Sequence, residues 1–529
     1  MLRTLAWKTV GIWTLLPAAG LVGLVACGPT ETSCDDGIGC TSTGGTSGDS
    51  GLGGTDGGGT GGTGGTSGTG GQGGTGGASG SDAGDAATCD TTKSPSEESC
   101  LVADDYAIFV SASGSDSADG SKATPVASWE KALELGKAAG KFVVACNDDF
   151  TSPVALTNAH SGTKLYGGFK CSDWSYDSAK KTKLAPSTES VALSMDGLVG
   201  FHAEDVIVEA KDATTAGASS IAVFANASSA ITLSRVEIKA GKGAAGANAV
   251  VTPVTYPTQA ALNGNSASGT QGGALKTRTC TGGAPSIGGQ GGNGLPPNGQ
   301  SGTDGGPNLG GGKGGVSALP DCAVGNGLGK SGASPPAPTP SAGASTLGTL
   351  SATGWTPSNG TNGGSGSPGQ GGGGGASTAT AGGGGGGCGG CGGAGGPGGK
   401  GGGASIALLL LDTPITLDAT ITLTTSAAGK GGNGAAGQPG QTEFGFGGLQ
   451  AVGACSGGNG APGGAGVAGG GAAGGVSAAV VWKGAATVTP TINASTTVTL
   501  GAKGDKGVGG KAGTNDGIDG VAQNVVEVK

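Results

Sequence analysis

"ASSIAVFANASSAITLSRVEIKAGKGAAG" (218–246), "ASIALLLLDTPITLDATITLTTSAAGKGGNG" (404–434) and "VSAAVVWKGAATVTPTINASTTVTLGAKGDKG" (476–507) share one grammar. In each, an apolar run suited to a buried strand leads to a second β-rich segment. Gly-Lys-Gly or Ala-Lys-Gly follows, and glycine-rich sequence takes over. A unit of this size cannot bury its own apolar face and must stack on a neighbour to do so. The three copies therefore read as coils of one all-β solenoid, a β-helix interrupted by long glycine-rich excursions.

Upstream of the first copy lies a more ordinary core. Eleven aromatic residues fall between Tyr106 and Phe224. A strand is expected at Tyr106 to Ser111, then a helix over Ala127 to Ala139, where Trp129, Ala132, Leu133 and Gly136 recur at helical spacing. Short β-branched or aromatic segments follow at Phe142 to Cys146, Val154 to Leu156, Lys164 to Phe169, Val191 to Leu193 and Val206 to Val208, each bounded by turn formers. Many short strands without intervening helices suit a solenoid better than a doubly wound sheet.

The run "YAIFVSASGSDSADGSKATPVASWEKAL" (106–133), with Val110, Gly114, Asp116, Gly120, Pro125, Ser128 and Ala132-Leu133, resembles the opening of secreted proteins of the pectin-lyase-like superfamily. That resemblance covers about residues 106 to 240. It implies a right-handed parallel β-helix whose first coil is capped by the strand and short helix. It implies little about activity, because the superfamily holds lyases, hydrolases, tailspikes and adhesins.

Glycine supplies 125 of the 529 residues. It recurs at every third position from Gly363 to Gly375, Gly431 to Gly440, Gly457 to Gly469 and Gly501 to Gly513. Three is the repeat of the polyproline II helix, and glycine at each third place leaves one face bare, so such helices can pack backbone to backbone. A polyglycine II bundle is expected, with plain disorder as the competing outcome and collagen excluded by the short triplet runs. Units such as "GGNGAAGQPG" also resemble the glycine-rich regions of mycobacterial PE-PGRS proteins, although no PE-type leader is present.

The N-terminus points to export. Arg3 and Lys8 precede an uncharged apolar stretch from Val10 to Ala26, ending in Leu24-Val25-Ala26-Cys27. This resembles the lipobox read by lipoprotein signal peptidases. The resemblance implies lipidation of Cys27 and a membrane partner reached through the lipid. Gly28 rather than Asp after the cysteine favours the outer membrane. Residues 41–88, almost wholly Gly, Ser, Thr, Ala and Asp, read as a flexible tether. The expected organisation is a signal peptide at 1–26, anchor and tether at 27–100, coils at 101–240, a glycine-rich insertion at 241–403 and a coil at 404–428. A second insertion at 429–475 and a last coil with a glycine-rich tail at 476–529 complete it.

Twelve cysteines in an oxidising compartment imply disulfides. Spacing suggests Cys34 with Cys40, Cys89 with Cys100, Cys146 with Cys171, Cys280 with Cys322, and Cys388 with Cys391, leaving Cys455 over. A redox or zinc role for Cys388-Gly-Gly-Cys391 lacks a second ligand pair and a strand-to-helix turn.

Groups for catalysis are scarce. The chain has two histidines, His160 and His202, and beyond the leader only Arg235 and Arg278. The strongest catalytic alternative is a carboxylate pair, Asp173 and Asp196, spaced to stack on adjacent coils with Glu204 and Asp205 nearby. Asp116, Asp119, Asp516 and Asp519 have the look of calcium loops but match no calcium motif and read as turn formers. No catalytic residue, metal site or cofactor is assigned. A net charge of -9 argues against nucleic acid. The expected function is a lipid-anchored envelope protein, structural or adhesive, binding polysaccharide or extracellular matrix. The alternative is a polysaccharide-processing hydrolase or lyase on the same scaffold.

Overall fold

A computed structural model describes residues 89–529 except 282, 318–320, 486–489 and 491. The leader, Cys27, the Cys34–Cys40 pair and the tether at 41–88 lie outside the described residues.

The regular elements among the described residues are mostly strands with few helices, and the long-range strand pairing is parallel. Three six-stranded sheets run side by side. The first contains Ala107–Val110, Phe142–Cys146, Lys164–Phe169, Val199–Glu204, Ser229–Ser234 and Ile415–Asp418, in that spatial order. The second runs from Val154–Thr157 through Leu193–Asp196, Ser220–Asn226, Ser405–Leu411 and Ser477–Lys483 to Ala522–Glu527. The third runs from Asp149–Phe150 through Thr182–Leu184, Val206–Glu209, Glu237–Lys239 and Ile421–Thr424 to Thr496–Thr499. From Leu193 to Thr424 the chain visits the second, first and third sheets in turn and then begins again one strand further along; from Ser477 the described strands fall in the second, third and second sheets. The three sequence copies land on one another: Ser220 pairs with Ser405 and Ser405 with Ser477. Ile231 pairs with Ile415, and Ile421 with Thr496.

The helix at Trp129–Ala139 forms where the spacing places it. Its buried residues are Trp129, Ala132, Leu133 and Gly136, capped by the Ser128 side chain and by left-handed Gly140. Val199–Glu204 is a strand that the sequence reading did not place: Phe201 and Ala203 face inward between His202 and Glu204, and left-handed Gly200, at φ 71°, interrupts its start.

The apolar runs of the copies, SIAVFAN, SIALLLL and SAAVVWK, are buried at six of seven positions. Continuous burial means that both faces of the second sheet are covered. Ala225, Leu410 and Val480 face the interior shared by the three sheets. Phe224, Leu409 and Val481 face outward under Leu350 and Trp355. Those two belong to an antiparallel hairpin, Gly348–Ser351 with Gly354–Pro357, carried by the long excursion between the first and second copies.

The described glycine-rich segments are hydrogen-bonded throughout rather than loose. Gly363, Gly366, Gly369, Gly372 and Gly375 donate to the carbonyls of Gly396, Gly393, Gly390, Gly387 and Gly384. Gly396, Gly393, Gly390, Gly387 and Gly384 donate in turn to Val467, Gly464, Ala461, Gly458 and Cys455. The period is three everywhere, and the partners lie on neighbouring segments. Residues 386–403, read as Gly-Gly-X six times, run through the middle of this lattice. A Cβ at Gly392 would overlap the carbonyl of Gly366, and one at Gly393 that of Gln438. Bare faces are therefore a steric requirement here. Where a neighbouring segment is missing, buried amides replace it: Gln441 accepts from Cys391 N–H and donates to Pro257. The fourth triplet run bonds only as far as Gly510, and Gly513 is a left-handed turn at φ 73°.

Four disulfides join this unit. Cys89–Cys100 and Cys146–Cys171 are the pairs that spacing suggests. The others are corrections: Cys280 pairs with Cys391, and Cys322 with Cys455, at separations of 111 and 133 residues. Cys455 is not left over, and Cys388, buried, is the free thiol among the described residues. Cys388 and Cys391 cannot pair, because residues three apart in a segment bonding in threes sit about 9 Å apart along its axis, beyond disulfide reach.

Candidate functional site

The corners of the strand stack require left-handed backbone, and non-glycine residues supply it. Asp205, Arg235 and Ala419 follow successive strands of the first sheet with φ of 54°, 53° and 53°. Glu204 pairs with Ser234 in register, so Arg235 sits directly over Asp205. Its guanidinium donates through Nε to Asp205 Oδ1 at 3.0 Å and through Nη2 to Oδ2 at 2.7 Å. Nη2 also contacts Glu204 Oε1, and it reaches Ser96 Oγ at 3.3 Å. Ser96 Oγ donates to Glu204 Oε1 at 3.1 Å, and the Tyr176 hydroxyl donates to Asp205 Oδ2 at 2.9 Å. His202 Nε2 lies 3.3 Å from Glu204 Oε2.

Three distant pieces of chain thus converge on one corner. Ser96 comes from the segment closed by Cys89–Cys100, and Tyr176 from the loop held by Cys146–Cys171. Both carboxylates are buried, and their oxygens are largely occupied. Burial alone would raise the Glu204 carboxyl, but the His202 hydrogen bond, the Arg235 charge and the Ser96 hydroxyl outweigh it and hold it below the usual carboxylate range. Burial, the hydrogen bond to Asp205 and that residue's charge push the Tyr176 phenol up to about 12. Glu204, its oxygens engaged by Arg235, Ser96 and His202 and its carboxyl held low, cannot serve as general acid at neutral pH, and its lone pairs are not free to act as base. What the arrangement does well is fasten.

Asp173 and Asp196 are not brought together. Asp173 lies in the exposed loop after Lys164–Phe169, bonded to Ser175 N and Oγ. Asp196 ends a strand of the second sheet and accepts from Asn226 Nδ2 at 2.7 Å. His160 accepts from Thr157 N–H within a short turn. The four calcium-like aspartates accept from the chain's own donors: Asp116 reaches across its loop to Ala127 N, Ser128 N and Ser128 Oγ, and Asp516 accepts from Gly509 and Gly513. Asp119 and Asp519 likewise accept backbone N–H groups, from Ser121 and Lys506. One metal-like trio occurs among the described residues, Cys146, Asp148 and Cys171, but its two sulfurs are joined to each other. Ser96 and Tyr176 carried no motif, and only the fold identifies them as part of this corner.

Comparisons with protein-family models, with curated proteins and with solved structures find no match to this chain.

Proposed function

We propose that this protein is a lipid-anchored envelope scaffold, structural or adhesive, that presents a stiff surface to polysaccharide or matrix polymers. In this reading the three parallel sheets are a right-handed parallel β-helix and the glycine segments are polyglycine II helices laid against it. Cys27 carries the lipid that holds the body at the outer membrane. The observation that supports the reading best is the cross-bracing. A lattice bonded at every third residue ties together segments far apart in sequence, the hairpin bearing Leu350 and Trp355 covers apolar residues on the outer face of the second sheet, and two disulfides of long separation, Cys280–Cys391 and Cys322–Cys455, bind the lattice segments. Such a body resists unfolding and proteolysis outside the cell, while its acids and arginine are spent on fastening.

The test uses the full lipidated chain in detergent, incubated with insoluble bacterial and plant polysaccharides. Retention is scored together with released reducing or unsaturated ends. Retention without products is the expected result, and products that disappear in Glu204→Gln would replace this reading with an enzyme. Cys27→Ser should move the protein from the membrane to the soluble fraction.

A further inference from the structure

The glycine lattice has a place where its bonding stops short. The run Gly501–Gly510 lies between two other segments. Gly431 and Gly434 donate to its Asp505 and Val508 carbonyls, and its own Gly504, Gly507 and Gly510 donate to Gly475, Ala472 and Gly469. Continuing by threes, the next donors are Gly437 and Gly440, and the next acceptors are the carbonyls of Gly466 and Gly463. None of these four groups has a partner among the described residues. The run does not reach them, because it turns at left-handed Gly513 and comes back along itself, Gly517 donating to Gly507 and Gly520 to Gly504. Gly466, at the inner end, is buried, whereas Gly437, Gly440 and Gly463 are half-buried and stay within reach of solvent. The lattice thus ends in a groove whose backbone donors and acceptors are unanswered.

What fits the groove follows from what already fills its first half. A Cβ at Gly504, Gly507 or Gly510 would overlap the carbonyl of Gly429, Gly432 or Ala435. An occupant further along therefore needs glycine at every third residue on a backbone of three residues per turn. Residues 58–80, GGTGGTGGTSGTGGQGGTGGASG, lie outside the described residues, and their sequence meets that requirement. Glycine recurs at every third position from Gly59 to Gly80 without a break, and a second register from Gly58 to Gly76 is broken only at Ser67. This is the Gly-Gly-X grammar of 386–403, the segment in the middle of the lattice.

We propose that residues 58–80 of a second copy of this chain enter the groove beyond Gly510 as a further lattice strand. Each copy then offers one run and one groove, and copies link head to tail. The pairing deepens the envelope-scaffold reading above, and it rests on that reading only in taking copies to stand side by side on one membrane through Cys27.

The test is hydrogen exchange of the full lipidated chain in detergent, read on the fragment 435–441 at a low and a high protein concentration. Exchange at Gly437 and Gly440 should be about fivefold slower at the high concentration. Replacing residues 58–80 by a shuffled sequence of the same composition, without the glycine register, should abolish the difference. Adding a synthetic 58–80 peptide to that variant should restore the protection, and the shuffled peptide should not. Protection that is equal at both concentrations yet lost in the variant means that the run is supplied within one copy, and it overturns the second-copy assignment. Exchange unmoved by concentration, variant and peptide overturns the lattice-strand role altogether. Retention by insoluble polysaccharide is scored on the same samples. A chain that is retained but fails the exchange test loses only this inference, and one that associates but is not retained loses the polymer-binding reading instead.

Discussion

Asp205 and Arg235 occupy the same left-handed corner on successive circuits of the chain, with φ of 54° and 53°, and their side chains form a two-point ion pair. Left-handed corners ordinarily call for glycine or asparagine. Here the conformation aims a fork of donors at a carboxylate one strand away and gathers Glu204, Ser96 and Tyr176 around it.

Arg235→Ala should destabilise the protein by about 2–3 kcal/mol, less than the full cost of breaking a buried pair because Arg235 is partly exposed. Arg235→Lys should fall between, since an ammonium cannot bond both Asp205 oxygens at once. Denaturant midpoints at neutral pH measure the difference.

The same corner sets the acid limb of stability. The folded Glu204 carboxyl titrates below its unfolded value, so its contribution is present above about pH 4.3 and is lost as pH falls through the folded value. Wild type should lose melting temperature more steeply below pH 4 than Glu204→Gln. At the alkaline end the sign reverses. Burial, with the Glu204 and Glu97 charges, raises Tyr166 to about 12, and Tyr176 titrates there too, so stability holds below pH 10 and is lost as pH rises towards 12. Phenolate absorbance followed with melting checks this limb.

Within the glycine lattice, position should matter more than residue type. Gly392→Ala places a methyl on the Gly366 carbonyl and should cost roughly 3 kcal/mol. A Cβ at Gly364 meets nothing within 4 Å, so Gly364→Ala should be neutral or stabilising by about 0.5 kcal/mol. Thermal melts of the two variants decide whether the lattice is packed as described.

Thiol chemistry gives a direct check of the pairing. Burial pushes the Cys388 thiol up and hides it. Alkylation without reductant should label Cys388, and none of the other described cysteines, only after denaturant is added. Peptide mapping should recover Cys280 joined to Cys391 and Cys322 joined to Cys455. Replacing both Cys280 and Cys391 by alanine should cost about 3–5 kcal/mol.

The hairpin bearing Leu350 and Trp355 covers apolar residues from the second sheet's central strands. Trp355→Ala should cost about 3–4 kcal/mol and raise binding of a hydrophobic dye, because Phe224, Leu409 and Val481 lose their cover.

The local rules of this protein are written along the chain. Apolar runs of seven with turn formers at their ends make strands, and the copies at 218, 404 and 476 stack in register because each strand buries its faces only against the next. Glycine at every third residue yields a three-residue bonding period, since that spacing keeps one face free of side chains. Helix Trp129–Ala139 follows from its four buried positions. Partners across long separations are another matter. Cys391 looks to Cys280 rather than to Cys388, and Cys322 to Cys455, because lattice neighbours are chosen by packing and not by distance along the chain. Asp173 and Asp196 share a suggestive spacing yet sit in separate parts of the fold, whereas Asp205 and Arg235 meet because the strand register stacks their corners. Period and burial are properties of short segments and can be read from them. Which segments become neighbours depends on how the excursions fold back on one another, and only the tertiary structure decides that.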